Sequence, residues 1–465
     1  MNAPQIWIFA PLAFSILIFV IRKKQLLAIY LAGGLCAFLA ILAFTVKIGQ
    51  VFPMGPTSLE INSTMDILGR AFILEDGDRT LIALIYGIGA VWFLGSKIAA
   101  TNIEFTPNGL GILALLTAAF SVQPFLYSAL IIEIAVLISI PMLIQPAKYL
   151  EIGISRFLIF QTLAMPFILL AGWGFEQATI SSNSAQINMF SAVLLGFGFS
   201  LWLAVFPFYT WVPLLAETGH PYAAGFIFAL FPTTVQLILV DFINNYSWLR
   251  STAIINSASQ LMGVVMVVIS GLWAAFHKSL LRLFGYLILV DIGFSLIAFS
   301  VNTHVGWEIY FSAFFPRLLS IAICSLSISI LRAQKVTLHL DSMKGQFYSS
   351  PIAIIAFLTG WFSLSGFPLF PSFPLRLGLL MNLSENTLVL PIWSVFGMFG
   401  LLFASFRMIS VFFSHTGNRK IVVSETPIQV IFLGIGIIIL FYLGLFPGFY
   451  NQIFTPVLEV YKNLP

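Results

Sequence analysis

Leu201–Glu217 reads LWLAVFPFYTWVPLLAE, and Trp361–Leu380 reads WFSLSGFPLFPSFPLRLGLL. Both are apolar enough for a bilayer, yet Pro207 and Pro213 interrupt the first and Pro368, Pro371 and Pro374 the second. Proline has no N–H to give and its ring clashes with the preceding turn, so a continuous helix is not the expected structure. Backbone freed at membrane depth is stable only where protein buries it or where it lines a wet cavity. Two readings stand: discontinuous helices at a transport site, or helices that are merely kinked.

The rest of the chain supplies the setting. Its 465 residues are 60% hydrophobic and 8% charged, with a mean hydropathy of +1.02, whereas soluble domains are about 25% charged. A spanning helix needs about 20 mostly apolar residues. On that rule spans fall near residues 5–21, 26–46, 79–97, 108–121, 124–144, 152–174, 189–213, 221–244, 252–276, 279–300, 306–331, 351–381, 389–413 and 427–448. The fold class expected is all-α and polytopic, with about 14 transmembrane helices.

Charge placement tests that division, because cytoplasmic loops collect Lys and Arg. With the N-terminus outside, the cytoplasmic side receives Arg22, Lys23, Lys24, Lys97, Lys148, Arg156, Lys278, Arg282, Arg332, Lys335, Lys344, Arg419 and Lys420. The outside receives Lys47, Arg70, Arg79, Arg250 and Lys462. Both termini are therefore expected on the non-cytoplasmic side of a cell (inner) membrane. The net charge of +4 follows from this bias and gives no reason to expect nucleic acid.

The proline breaks fall in the seventh and twelfth spans, and an offset of five helices inverts the second unit. That predicts two inverted five-helix repeats, 108–245 and 246–415, preceded by three helices with an external hairpin loop (1–107) and followed by a C-terminal helix (416–465). The hairpin is expected at the Asp76–Gly77 pair, within a segment that also holds Gly55, Pro56, Asn62 and Gly69.

Chemistry-bearing residues are few. Cys36 and Cys324 sit in apolar spans, the histidines at 220, 277, 304, 339 and 415 are scattered, and no GxGxxG, P-loop, HExxH or CxxC pattern occurs. No cofactor, metal or redox site is expected on this chain. Glu133 lies near mid-membrane, where a carboxylate is costly unless paired or hydrated. It reads either as a proton-accepting or ion-pairing site or as a protonated acid bonded to a neighbouring helix. Arg317 and Arg376 follow prolines and can hold a counter-charge, but an arginine cannot release its proton. Arg407 reads as snorkelling. Asp291 reads as a buried acid, too far around its helix to pair with Arg282. Asp241 reads as solvated.

These residues also carry a resemblance. LGRAFILEDGDRTLIALIY (68–86), Glu133, VFPFYTWVPLLAETGHPYAAG (205–225), LLRLFGYLILVDIGF (280–294) and LTGWFSLSGFPLFPSFPLRLG (358–378) resemble the motifs of the antiporter-like membrane subunits of respiratory complex I (NADH:quinone oxidoreductase) and Mrp-type cation:proton antiporters. The resemblance implies a proton (or sodium) translocating subunit, coupled to electron transfer on other chains and packed against other membrane subunits in the lipid bilayer. It also implies a relay of titratable lysines, from which this chain departs. The expected lysines fall at Trp202 in the seventh helix, Thr233 in the eighth and Leu281 before Arg282. The eleventh-helix lysine falls at Pro316 or Arg317, and that of the twelfth at Arg376. The motif histidines fall at Tyr209 and Asp291. The expected function is a divergent antiporter-like subunit with a depleted proton relay, its pathway residues drawn from Glu133, Asp291, Arg282, Arg376 and Tyr209. The alternatives are a non-conducting scaffold subunit and a stand-alone cation:proton antiporter.

Overall fold

The computed structural model describes residues 2–54, 57–144, 151–178, 184–334, 336–414, 421–449, 457–458, 461 and 464. Of the positions named above, Gly55, Pro56, Lys148, Lys335, His415, Arg419, Lys420 and Lys462 lie outside the described residues.

Among the described residues, sixteen principal helices organise the fold, besides the short Ser247–Ser251 helix. They are α1 (Gln5–Ile21), α2 (Gln25–Thr45), α3 (Arg79–Ser96), α4 (Phe105–Ser121), α5 (Ser128–Leu143), α6 (Ile152–Ala178), α7 (Ser184–Trp202) and α8 (Trp211–Thr218). Then follow α9 (Pro221–Asn245), α10 (Ala253–Phe276), α11 (Leu280–Val301), α12 (His304–Ala333), α13 (Pro351–Ser365), α14 (Ser372–Asn386), α15 (Val389–Phe412) and α16 (Pro427–Leu445). Among the described residues, eleven helices are long and apolar enough to cross a membrane, and α1, α4 and α13 are shorter apolar helices. Each span read from the sequence overlaps one of these. The chain is a multi-pass membrane protein.

Burial sorts the helices into two layers. α9, α11 and α12 are almost wholly buried, whereas α2, α5, α6, α7, α10, α15 and α16 turn much of their apolar surface outward. Ile392, Phe396, Phe399, Phe403 and Phe406 on α15 are all exposed. In lipid that is no liability, since hydrocarbon is as apolar as the side chains and helix association rests on close packing instead.

Both proline-bearing stretches do break. α7 ends at Trp202, Ala204 takes a left-handed φ of 54°, and the chain resumes as a short turn at Phe208–Thr210 leading into α8. Leu203 and Ala204 are buried, so protein covers the freed backbone. α13 ends at Gly366, φ 73°, and the chain re-enters helix at Ser372 after Pro371. Gly366 is required twice over: its φ suits glycine, and a Cβ there would lie 2.6 Å from Arg376 Cδ.

Three expectations are corrected. The hairpin is not at Asp76–Gly77. Strand β1 (Thr64–Ile67) pairs antiparallel with β2 (Arg70–Ile73) through a turn at Leu68–Gly69, both at positive φ, and β2 pairs with Val122–Gln123 at the end of α4. Asp76–Asp78 instead forms a 3-10 turn opening α3, closed by a Glu75/Asp78 capping box. Asp-Gly was the stronger turn signal, but the acidic residues serve the helix N-terminus. Arg407 does not snorkel; its guanidinium donates to the main-chain oxygens of Ala275 and His277, capping the end of α10. Asp241 is half-buried near the end of α9, within electrostatic range of Asp78 and Tyr461.

Candidate functional site: a buried acid between two arginines

α11 is covered on nearly every side, and Asp291 lies near its middle with 8% of its surface exposed. Two arginines approach it from different helices. Arg317 Nη1 on α12 lies 3.6 Å from Asp291 Oδ2, and Arg376 Nη2 on α14 lies 3.8 Å from Oδ1. The arginines are 3% and 5% exposed. The separations exceed hydrogen-bond length, so the carboxylate balances charge without direct bonds to either guanidinium.

Other groups hold the arginines in place. Arg317 donates to Gln236 Oε1 from both terminal nitrogens at 3.0 Å, to Ser295 Oγ at 2.9 Å and to Thr233 Oγ1 at 3.0 Å. Its guanidinium also lies 4.8 Å from the ring centre of Phe314. Arg376 donates to the main-chain oxygen of Leu364, the carbonyl one residue before the end of α13, and sits 4.2 Å from the ring centre of Phe294. The broken twelfth span therefore has a local use. The break turns α14 so that its arginine meets a carbonyl at the α13 terminus, one of the helix-end acceptors left without an intrahelical donor.

A second polar group is shallower. Arg282, in the first turn of α11, pairs with Glu217 at the end of α8, Nη2 to Oε2 2.7 Å. Tyr286, one turn on, shares a 3.1 Å hydrogen bond with His277, and Tyr209 is within electrostatic range of Tyr286. Both ion-pair partners are about one-third exposed, so water screens them.

The sequence-derived candidates thus separate. Asp291, Arg376 and Thr233 join Arg317 in one cluster, with Thr233 accepting from Arg317. Arg282 and Tyr209 belong to the shallower group, and Leu281 is packed in the core beside it. Trp202 is buried, and its main-chain oxygen accepts from Gln161 Nε2 at 3.4 Å. Glu133 stands apart: Oε1 accepts from Thr162 Oγ1 of α6 at 2.8 Å, and no lysine or arginine among the described residues pairs with it. Gln236, Ser295 and Glu217 were missed. Gln236 is three residues past Thr233 and Ser295 four past Asp291, spacings that share a helix face. Glu217 was visible only as the end of a quoted stretch, because its partner comes from another helix.

His220, between α8 and α9, is pushed down from an ordinary value near 6.5 to about 4, first by burial and then by the nearby Arg332 charge. The unfolded chain binds the extra proton between those values, so stability is present above about pH 6.5 and falls as pH drops toward 4. Melting curves of the detergent-solubilised chain should show this slope, and His220→Gln should flatten it. An unchanged slope in that variant would refute the assignment.

A model of the NADH:quinone oxidoreductase/Mrp antiporter transmembrane region matches residues 153–404, more than half of the chain, and includes all of the buried cluster. The chain belongs to this family. As an NADH:quinone oxidoreductase/Mrp antiporter family member it is 26% identical over 274 residues to NADH-quinone oxidoreductase subunit N of Francisella tularensis subsp. holarctica, covering 56% of this chain and 54% of that one. The chain spans about half the length of the curated relatives it matches. The same fold occurs in a chain of the Mrp complex from Dietzia sp. DQ12-45-1b, with a TM-score of 0.79 at 14% identity, covering 99% and 97% of the two chains. It occurs again in a chain of respiratory complex I from Thermus thermophilus with bound aureothin, with a TM-score of 0.71 at 17% identity, covering 95% and 98%. At these identities the likeness is one of fold.

Proposed function

We propose that this chain is an antiporter-like membrane subunit of a complex I-like NADH:quinone oxidoreductase, contributing to proton or sodium translocation driven by electron transfer on other subunits. The observation that carries this reading is the Asp291–Arg317–Arg376 cluster, where an acid on an unbroken central helix meets an arginine beside the broken twelfth span. Family membership and the subunit N relatives support it. Asp291 is the one titratable group of the three, since both arginines keep their charge. Protonation of Asp291 would leave two buried positive charges facing each other, so any ion or proton reaching it acts on both helices.

The domain reading goes with this proposal: two inverted five-helix units, 108–245 and 246–415, each with one interrupted helix, the first lending Thr233 and Gln236 to the cluster in the second. Other membrane subunits would cover part of the exposed apolar surface, in a bacterial inner membrane with both termini on the non-cytoplasmic side.

A second reading, a non-conducting scaffold subunit, is favoured by the non-titratable side chains at Trp202, Thr233 and Leu281. The two separate on the assembled complex. After purification in mild detergent with partner chains identified by mass spectrometry, protons moved per electron are compared for wild type, Asp291→Asn and Asp291→Glu. Translocation through this chain predicts a lower ratio for Asp291→Asn and a retained one for Asp291→Glu. An unaltered ratio in assembled Asp291→Asn complex selects the scaffold. A chain that purifies alone from its native membrane removes the subunit reading.

A further inference from the structure

Away from the buried cluster, α7 and α10 border a groove that opens to the membrane, with α9 and α11 as its floor. α7 presents Ala192, Gly196 and Ser200 to it, four residues apart and so on one helix face, and α10 presents Ala258 and Met262. Ser200 Oγ donates to the Gly196 oxygen of its own helix at 2.6 Å, which leaves that wall apolar. Small residues ordinarily let a neighbouring helix come close. Here they border open space: Gly196 is exposed, and nothing lies within 4 Å of a Cβ at that position.

The groove occupies one leaflet. Apart from α7, its residues come from the last turns of α9, the first turns of α10 and the last turns of α11, helix ends that all lie at the same membrane face. It extends about 12 Å along α10, from Ile254 to Met262, at a rise of about 1.5 Å per residue. Along α7 it runs about 21 Å from Met189 and ends within the break of the seventh span, at Leu203 and Val205. The hydrocarbon of one leaflet is about 15 Å thick, half of the roughly 30 Å core. A partner's transmembrane helix would have to cross the full core, so a groove of this length suits an acyl tail instead.

Its mouth carries a charge. Arg250 follows Leu249, a residue of the groove wall, and its Nη1 donates to the main-chain oxygens of Ile243, also in the wall and 3.0 Å away, and of Asn244. These bonds hold the guanidinium beside the groove. Tyr246 and Trp248 pack on Phe175 of α6 at the same level, with ring centres 4.9 and 5.5 Å apart. Tyr and Trp settle at headgroup depth, the depth at which a guanidinium meets lipid phosphate and pairs with it.

We propose that this groove binds one phospholipid of that leaflet, with an acyl tail lying between α7 and α10 and the phosphate paired with Arg250. The methyl end of the tail reaches Leu203 and Val205 and covers the break in the seventh span with hydrocarbon. The site is separate from the Asp291 cluster and holds whether or not the chain conducts protons.

The test uses the full chain purified in mild detergent and a phosphatidylglycerol with a photoreactive diazirine in one acyl tail. After illumination over a series of lipid concentrations, labelled peptides are identified by mass spectrometry. The expected result is saturable labelling of segments 189–203 and 254–262 at concentrations where the outward face of α15 takes little label. Gly196→Trp fills the groove from a position where a side chain meets no obstacle, so label in both segments should be lost while that on α15 is unchanged. Arg250→Gln should raise the labelling midpoint about fivefold, the worth of one basic side chain near a lipid surface, and Arg250→Lys should restore it. Equal labelling of the groove and of α15 in wild type would overturn the site, as would a Gly196→Trp chain that labels like wild type. A midpoint unmoved in folded Arg250→Gln would remove the phosphate contact and with it the proposal.

Discussion

Asp291→Asn should lower the unfolding stability of the detergent-solubilised chain by about 3–5 kcal/mol, the range for removing one partner of a buried ion pair. The carboxamide keeps the shape of the side chain and removes the charge that Arg317 and Arg376 share at 3.6 and 3.8 Å. What is lost is chiefly the compensation of two cations buried in the helix bundle. Arg376→Gln in the same chain should recover a large part of that loss, since residues in one network couple strongly. For contrast, Arg282→Ala should cost only about 1 kcal/mol, because its pair with Glu217 is one-third exposed and screened. Equilibrium unfolding of these three variants beside wild type decides the matter. A loss below about 1 kcal/mol for Asp291→Asn would mean that the cluster does not hold its charges in the dry interior described above.

Gly271→Leu should prevent α10 and α15 from packing, with a loss of about 3 kcal/mol or more. The two helices cross with their backbones nearly touching. A Cβ on Gly271 would lie 2.0 Å from the Gly397 oxygen, and one on Gly400 would lie 2.2 Å from the Gly271 oxygen. No side-chain rotation relieves a collision with a carbonyl, so the helices must separate, and all the small-residue packing of that seam is lost with them. Gly34→Leu is the control: nothing lies within 4 Å of a Cβ at that position of α2, so its effect should stay near the ~0.5 kcal/mol of an ordinary surface change. Yield of monodisperse chain by size-exclusion chromatography, with thermal unfolding of what is recovered, separates the two. Comparable behaviour of both variants would show that the α10–α15 crossing is looser than described.

Much of the candidate site was legible residue by residue. Asp291, Arg317 and Arg376 each stood out because an ionisable group inside an apolar run is costly and needs a reason. Their meeting was not legible, because it depends on the angle at which α14 leaves the break after Gly366, and the prolines announce a break without giving its direction. Glu133 shows the opposite limit. Its depth in α5 was readable from the run of apolar residues around it, but nothing in that run says that its carboxylate turns to Thr162 of α6 instead of toward the arginines. The hairpin failed for a local reason: a strong Asp-Gly turn signal and a helix cap use the same residues, and only the strand pairing of Thr64–Ile67 with Arg70–Ile73 decides between them.

The amino-acid sequence alone determined that this chain spans a membrane many times as helices, and it marked by their prolines two spans that break or kink. Both follow from single-chain physics: unsatisfied backbone is intolerable in hydrocarbon, and proline cannot complete a helical ladder. Only the tertiary structure decided which buried charges share one site and which glycines let helices touch. Those outcomes depend on distances between segments far apart in the chain, and a helix's own periodicity carries no information about the rotation and offset at which it meets its neighbours.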